Sequence, residues 1–327
     1  MQIKTKNISH TFGRGTPQQF NAIQNVDSEI KQGQAISIIG HTGSGKTTYI
    51  EHLNALLRPT SGELIMKYKI NSKEKQIIRL NKKLNKAKKD SKKIIIRELI
   101  KDTEKDSEIL FIEKNIRNSK KKIKNIKQIR KKIGVVFQFA EYQLFEDTIE
   151  KDIMFGPLTM GDSIEHSRKK AKKYLELVGM PKSFLDKSPF ELSGGQKRRV
   201  ALAGILAMEP DMLVFDEPTA GLDPQGSKEI LDIFTDLNKK GKTIVIVTHN
   251  LDDALERTKI TFMFSKGKLI KIGDTYEILK DINLLKQNNL EPPKILEFAK
   301  KLEDKGIKLP KVTSIKTLAE AINEKLK

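Results

Sequence analysis

Apolar residues fall along this chain in short runs bounded by turn residues, and four of them read as buried strands: 35–39, 133–137, 212–215 and 243–247. Two further runs, 261–264 and 269–272, are joined through Ser265-Lys266-Gly267 and predict a hairpin. Helical patches follow three of the four buried strands, at 46–57, at 224–238 and from Leu251 onward. Strand then helix, repeated, predicts an α/β fold with a mainly parallel sheet covered on both faces.

Two other regions have different patterns. In 67–132, Ile77, Leu80, Leu84 and Ala87 recur at helical spacing, and Ile112, Ile116, Ile123 and Ile126 form a second, looser stripe. With the polar stretch 102–107 as a turn, the segment reads as two antiparallel helices inserted in the α/β domain. A disordered lysine-rich loop is the competing reading by composition. Further on, Glu291-Pro292-Pro293 opens a region that reads helical over 294–305 and 314–327. The expected division is an α/β domain over 1–285 and a helical extension over 286–327.

Composition narrows the class. With 327 residues, 37% apolar and 32% charged, the chain is long enough for a sizeable core and is not wholly disordered. No apolar run approaches the roughly 18 residues of a spanning helix, and Met1-Gln2-Ile3-Lys4-Thr5-Lys6 has no secretory apolar stretch. The absence of cysteine excludes disulfides and thiolate metal sites, so a cytosolic setting is expected. The net charge of +20 is local. Residues 67–132 hold 25 basic and 8 acidic residues, against 37 and 34 in the remainder.

Candidate chemistry begins with Gly40-His41-Thr42-Gly43-Ser44-Gly45-Lys46-Thr47, which fits G-x-x-x-x-G-K-[ST] between a strand and a helix. Glycines let the backbone turn its N–H groups inward, and the helix N-terminus adds partial positive charge. Lys46 is expected to reach the terminal phosphates and Thr47 to ligate Mg2+; with Thr48 these residues form the expected nucleotide-binding loop. Met212-Leu213-Val214-Phe215 runs straight into Asp216-Glu217, so a buried strand delivers two acids to the carboxyl edge of the sheet. Asp216 is expected to hold Mg2+ through water and Glu217 to polarise an attacking water. His249 follows the next strand at the same edge, where it would contact the γ-phosphate or orient that water. Lys46, Glu217 and His249 are the catalytic candidates, whereas His10, His52 and His166 lack such a context.

Leu192-Ser193-Gly194-Gly195-Gln196 precedes a strong helix former, Lys197-Arg198-Arg199-Val200-Ala201-Leu202-Ala203. A serine and two glycines opening a helix make a second anion-binding end, which suggests service to a neighbouring chain; an ordinary N-capped helix fits the same residues.

In this order the motifs resemble those of the ATP-binding cassette (ABC) family. The loop 40–47 matches Walker A, Gln138 the Q-loop, 192–196 the signature, Asp216 with Glu217 Walker B, Ala220-Gly221-Leu222-Asp223 the D-loop and His249 the switch histidine. The resemblance implies a P-loop NTPase fold with a helical subdomain over about 138–208. It also implies a head-to-tail dimer in which each ATP lies between one Walker A and the other subunit's Ser193-Gly194-Gly195-Gln196. Gln138 would join Thr47 and Asp216 at Mg2+, and Phe12 would stack on the base. Gly15-Thr16-Pro17, Phe137-Gln138-Phe139-Ala140-Glu141-Tyr142-Gln143-Leu144-Phe145 and Ser188-Pro189-Phe190-Glu191-Leu192-Ser193-Gly194-Gly195 look like the ATPase subunits of energy-coupling factor transporters. The Phe-Gln-Phe form favours the second of the two ATPases. That resemblance implies ATP hydrolysis driving vitamin or metal-ion uptake, from the cytoplasmic face of the cell membrane as a peripheral subunit. The implied partners are a paralogous ATPase, an integral membrane coupling subunit and a substrate-binding membrane subunit, and 286–327 resembles a dimerising extension. Two departures stand out: Ala140 replaces the family's usual proline, and the 67–132 insert is larger than usual.

A basic hairpin also suits a DNA-repair or chromosome-organising ABC ATPase. Here Gln138 follows the insert, the hairpin is short and 137–145 is transporter-like, so nucleic acid is not an expected partner. The insert itself reads either as a solvated hairpin or as a surface drawn to anionic lipid.

Overall fold

The computed structural model describes residues 1–118, 123, 125–307 and 309–326; the last residue of the expected terminal helix, Lys327, and part of the insert lie outside the described residues. Two long strands open the chain, β1 (Gln2–Phe12) and β2 (Phe20–Ile30), and pair antiparallel. β3 (Ala35–Ile39) leads into α1 (Lys46–Leu53), and β4 (Ser61–Asn71) returns beside β1. The insert continues as α2 (Glu74–Lys86), α3 (Asp90–Lys105), β5 (Ile109–Ile116) and α4 (Ile126–Lys132). After β6 (Ile133–Val136) comes a helical layer of α5 (Ile149–Thr159), α6 (Ile164–Leu177) and α7 (Gly194–Ala207). Strand and helix then alternate through β7 (Met212–Asp216), α8 (Pro224–Lys239), β8 (Thr243–Val247) and α9 (Leu251–Arg257). β9 (Ile260–Ser265) and β10 (Lys268–Asp274) form the expected hairpin. α10 (Thr275–Leu279), α11 (Ile282–Gln287), α12 (Lys294–Asp304) and α13 (Ile315–Leu326) end the described chain.

The larger sheet has the order β10-β9-β3-β8-β7-β6, parallel except for β10. β3, β7 and β8 are buried at every position, as befits a sheet covered on both faces. Alternation divides their side chains between two cores: Ile36, Ile38, Val214 and Val245 face one, and Leu213, Phe215, Ile244 and Ile246 face the other. The first core lies against a four-stranded antiparallel sheet, β2-β1-β4-β5, which the sequence pattern does not announce. The second lies under α5–α8, where Phe215 stacks on Phe234 at 3.6 Å. The C-terminal helices pack on the body of the chain itself, with Leu296, Val312 and Leu318 sharing a cluster with Ile39, Leu251 and Met263.

The insert departs from the expected helix pair. α2 carries the first stripe, and its partner is α3, which ends at Lys105, so 102–107 is a helix end and not the turn between helices. Ile112 and Ile116 lie on a strand. β5 pairs with β4 from Leu64↔Ile116 to Asn71↔Ile109. A spacing of four suits one face of a strand as well as a helical stripe, and the open edge of β4 decides for the strand. The far side of the insert meets the turn between α5 and α6. Asn81 Nδ2 donates to the Gly161 carbonyl at 2.8 Å, Asn85 Oδ1 accepts from Ile164 N at 3.0 Å, and Arg97 pairs with Glu165.

Candidate nucleotide site at the sheet edge

The loop between β3 and α1 must pass close to its neighbours. A Cβ at Gly45 (φ +100°) would lie 2.7 Å from the Ala22 carbonyl oxygen, and one at Gly40 (φ +151°) 2.3 Å from that of Phe264, so neither position admits a side chain. Lys46 Nζ donates to the carbonyls of Gly40 at 2.7 Å and His41 at 3.0 Å. Burial lowers its pKa below the ordinary lysine value, against the opposing pull of Glu217 and Asp216. Ser44 Oγ is buried with no hydrogen-bond partner among the described residues, a donor left over for a ligand in the loop. The Thr48 carbonyl accepts from His52 Nδ1 at 2.6 Å, which stiffens the first turn of α1.

β7 and β8 bring the acids to this loop. Their register, Asp216↔Val247, sets Asp216, Glu217 and His249 at one carboxyl edge. Thr47 Oγ1 donates to Asp216 Oδ2 at 3.2 Å, and burial raises the Asp216 pKa although Thr47 and Lys46 work to lower it. Glu217 adopts left-handed backbone (φ +50°), its N–H held by the Val247 carbonyl at 2.9 Å. The Glu217 Oε2 atom lies 2.8 Å from His249 Nδ1; the Glu217 side chain is 14% exposed and that of His249 74%. A hydroxyl and a buried carboxylate this close are hard oxygen donors that fit Mg2+.

The other expected residues lie around this cluster. Gln138 is exposed, two residues beyond the end of β6 on the same sheet edge. Ala140 is buried at the start of a 3-10 turn, Ala140–Gln143. Ser193 caps α7 reciprocally: its Oγ accepts from Gln196 N at 3.4 Å, and Gln196 Oε1 accepts from Ser193 N at 3.0 Å. Ser193 and Gly194 are exposed at the N-terminal end of α7 in the helical layer. In the D-loop, Asp223 caps α8 by accepting from Gly226 N at 2.8 Å. Phe12 is half-buried at the end of β1 and stacks on Phe20, ring centres 5.3 Å apart. Phe20 is 58% exposed and was not singled out from the sequence, where the one cue is a second aromatic beyond the Gly-Arg-Gly-Thr-Pro turn. No helix among the described residues is long and apolar enough to cross a membrane.

A P-loop, a strand-end Asp-Glu pair, a following histidine and a Ser-Gly-Gly helix start on one α/β frame define an ATP-binding cassette ATPase, and a family model described as ABC transporter matches residues 23–117 and 91–220. Among curated proteins, the energy-coupling factor transporter ATP-binding protein EcfA2 of Mycoplasma mobile is 54% identical over 326 residues, covering 100% of this chain and 97% of its own length. The EcfA2 protein of Enterococcus faecalis is 41% identical over 307 residues, with 94% and 90% covered. The chain belongs to the family of energy-coupling factor transporter ATP-binding proteins, and the match with the Mycoplasma protein includes the insert. Among solved structures, CbiO1 of Clostridium perfringens, described as part of the transporter complex CbiONQ, superposes with a TM-score of 0.63 at 30% identity, covering 91% of this chain and 98% of its own. The cassette MJ0796, solved as a dimer in a post-hydrolysis state with ADP and Pi, superposes with a TM-score of 0.62 at 26% identity, with 84% and 98% covered. These likenesses do not favour the DNA-repair alternative.

Proposed function

We propose that this chain binds ATP over 40–48 and hydrolyses it as half of a head-to-tail ATPase pair that powers an importer of the energy-coupling factor type. The observation that carries this reading is the convergence of Lys46, Thr47, Asp216, Glu217 and His249 at one sheet edge, with His249 Nδ1 2.8 Å from Glu217 Oε2. Inward N–H groups of the loop and Lys46 hold the phosphates, and Phe12 with Phe20 offers aromatic surface to the base. Mg2+, when bound, neutralises phosphate charge, and Thr47 and, through water, Asp216 and Gln138 are the residues that would hold it. Glu217 takes a proton from the attacking water, while His249 fixes the carboxylate from its solvent side. Ser193, Gly194, Gly195 and Gln196 serve the partner's nucleotide.

The partner is a paralogous ATPase, and the pair sits peripherally on the cytoplasmic membrane face. The exposed rings of Phe139, Tyr142, Phe145 and Phe155 meet the integral coupling subunit, a use that fits their clustering: Phe145 and Phe155 lie 4.9 Å apart edge to face. A substrate-binding membrane subunit completes the importer of a vitamin or metal ion. The lysines of the insert add attraction to anionic lipid, about 1 kcal/mol per basic residue close to the surface.

The test is Glu217→Gln in the assembled complex. Nucleotide binding stays at the wild-type level and turnover drops by about 10²- to 10⁴-fold, the range of a lost general base. Full hydrolysis by that variant removes Glu217 from the role.

A further inference from the structure

Arg198 lies two residues beyond the signature, in the first turns of α7, and is buried. Its guanidinium forks onto one carboxylate, with Nε 3.2 Å from Glu141 Oε2 and Nη2 3.1 Å from Glu141 Oε1. The remaining nitrogen, Nη1, donates to the Ala220 carbonyl. Both charged side chains are largely withdrawn from water, 9% and 14% exposed. Glu141 belongs to the 3-10 turn just after Gln138, beside the exposed Tyr142, and Ala220 opens the D-loop three residues past Glu217. Arg198 also borders a small cavity with Phe137, Phe139, Phe215 and Glu217 among its other walls. One side chain thus joins the aromatic segment, the signature helix and the D-loop. A bidentate Arg–carboxylate contact fixes orientation as well as distance, and a buried one cannot lose a partner without stranding a charge.

We propose that Arg198 is a positioning residue for ATP hydrolysis: through Glu141 and Ala220 it makes the D-loop and the signature end of α7 follow the 137–145 segment. This rests on the ATPase-pair reading above. Movement of that segment then changes how fast bound ATP turns over, with little effect on how tightly it is held.

The test compares Arg198→Ala, Glu141→Gln and the double variant with the wild type in the assembled transporter, by steady-state ATP hydrolysis. KM for ATP should stay within about twofold, while kcat falls about tenfold in Arg198→Ala and about threefold in Glu141→Gln. The double variant should be no slower than Arg198→Ala, because both changes act through one contact. Unchanged kcat, a rise in KM alone, or losses that multiply in the double variant would overturn the proposal. Glu141→Gln keeps its size and an acceptor for the guanidinium, so the test stands even where Arg198→Ala does not assemble. Glu217→Gln, run alongside, separates the two failures. If it hydrolyses normally the ATPase reading itself falls, and if it stalls while the Arg198 and Glu141 variants match wild type only this proposal does.

Discussion

Glu217 holds a left-handed backbone, a conformation that costs a non-glycine residue about 1–3 kcal/mol and persists where the surroundings impose it. Here the Val247 carbonyl holds the Glu217 N–H and His249 its carboxylate, close enough to Lys46 to work against the lowering of that lysine's pKa. Residue chemistry of this kind was legible in the sequence because it depends on a few side chains at fixed spacing after strands. Pairing across the fold was less so: a second aromatic beyond the 13–17 turn is the one cue to the Phe12–Phe20 stack, and nothing in the order of residues ties His10 to His52. The first pair leads to a prediction. Phe12→Ala should raise KM for ATP about tenfold, in line with roughly 1–3 kcal/mol for a base stacked on an aromatic ring, and Phe20→Ala should raise it less. Wild-type KM in both would remove the rings from base binding. The second pair sets an acid limit on stability. His52 Nδ1 donates to the Thr48 carbonyl and Nε2 meets His10 Nδ1 at 3.2 Å, while burial pushes the His52 pKa down to about 4 from 6.5. The folded state therefore favours neutral His52. Its contribution is complete above about pH 6.5 and is lost as pH falls toward 4, a loss of about 3 kcal/mol for a shift of this size. Denaturant titrations of wild type and His52→Gln should converge by that amount between pH 7 and pH 4. A gap that stays constant with pH would contradict the assignment.

Among elements, those with one unambiguous period were readable. The parallel strands are continuous apolar runs, and α8 and α12 show helical spacing between a Pro start and a charged end. β1 and β2 were missed because a half-buried strand interrupted by register shifts has no long alternation, and β5 because its isoleucines fit two periods. The strand assignment of β5 can be checked by thermal unfolding. Ile116 is buried opposite Leu64, so Ile116→Ala should cost about 2–4 kcal/mol. Phe111 is 78% exposed on the same strand, so Phe111→Ala should stay within about 0.5 kcal/mol. Equal costs at the two positions would argue against this register.

On the scale of the whole molecule, the charge map and the site map separate. The surplus of +20 sits almost wholly in the insert, while the nucleotide edge draws on the near-neutral remainder. The Ser-Gly-Gly helix start lies on the helical layer and the P-loop at the end of β3 on the sheet, so on the paired mechanism proposed above one chain contributes to two different sites. Kept strictly monomeric, the chain should bind ATP yet hydrolyse it at a small fraction of the rate of the assembled complex. Sedimentation velocity alongside phosphate release checks this, and a monomer as fast as the complex would refute the paired mechanism. The sequence showed both motifs, but only the packed structure shows what links their layers.

The insert adds a tie between the helical layer and the antiparallel sheet. Its strand β5 is zipped onto β4, and its helices hold the α5–α6 turn through Asn81, Asn85 and Arg97. It therefore acts as a splint between the antiparallel sheet and the helical layer. Any tilt of that layer must either drag α2 and α3 with it or break those three attachments.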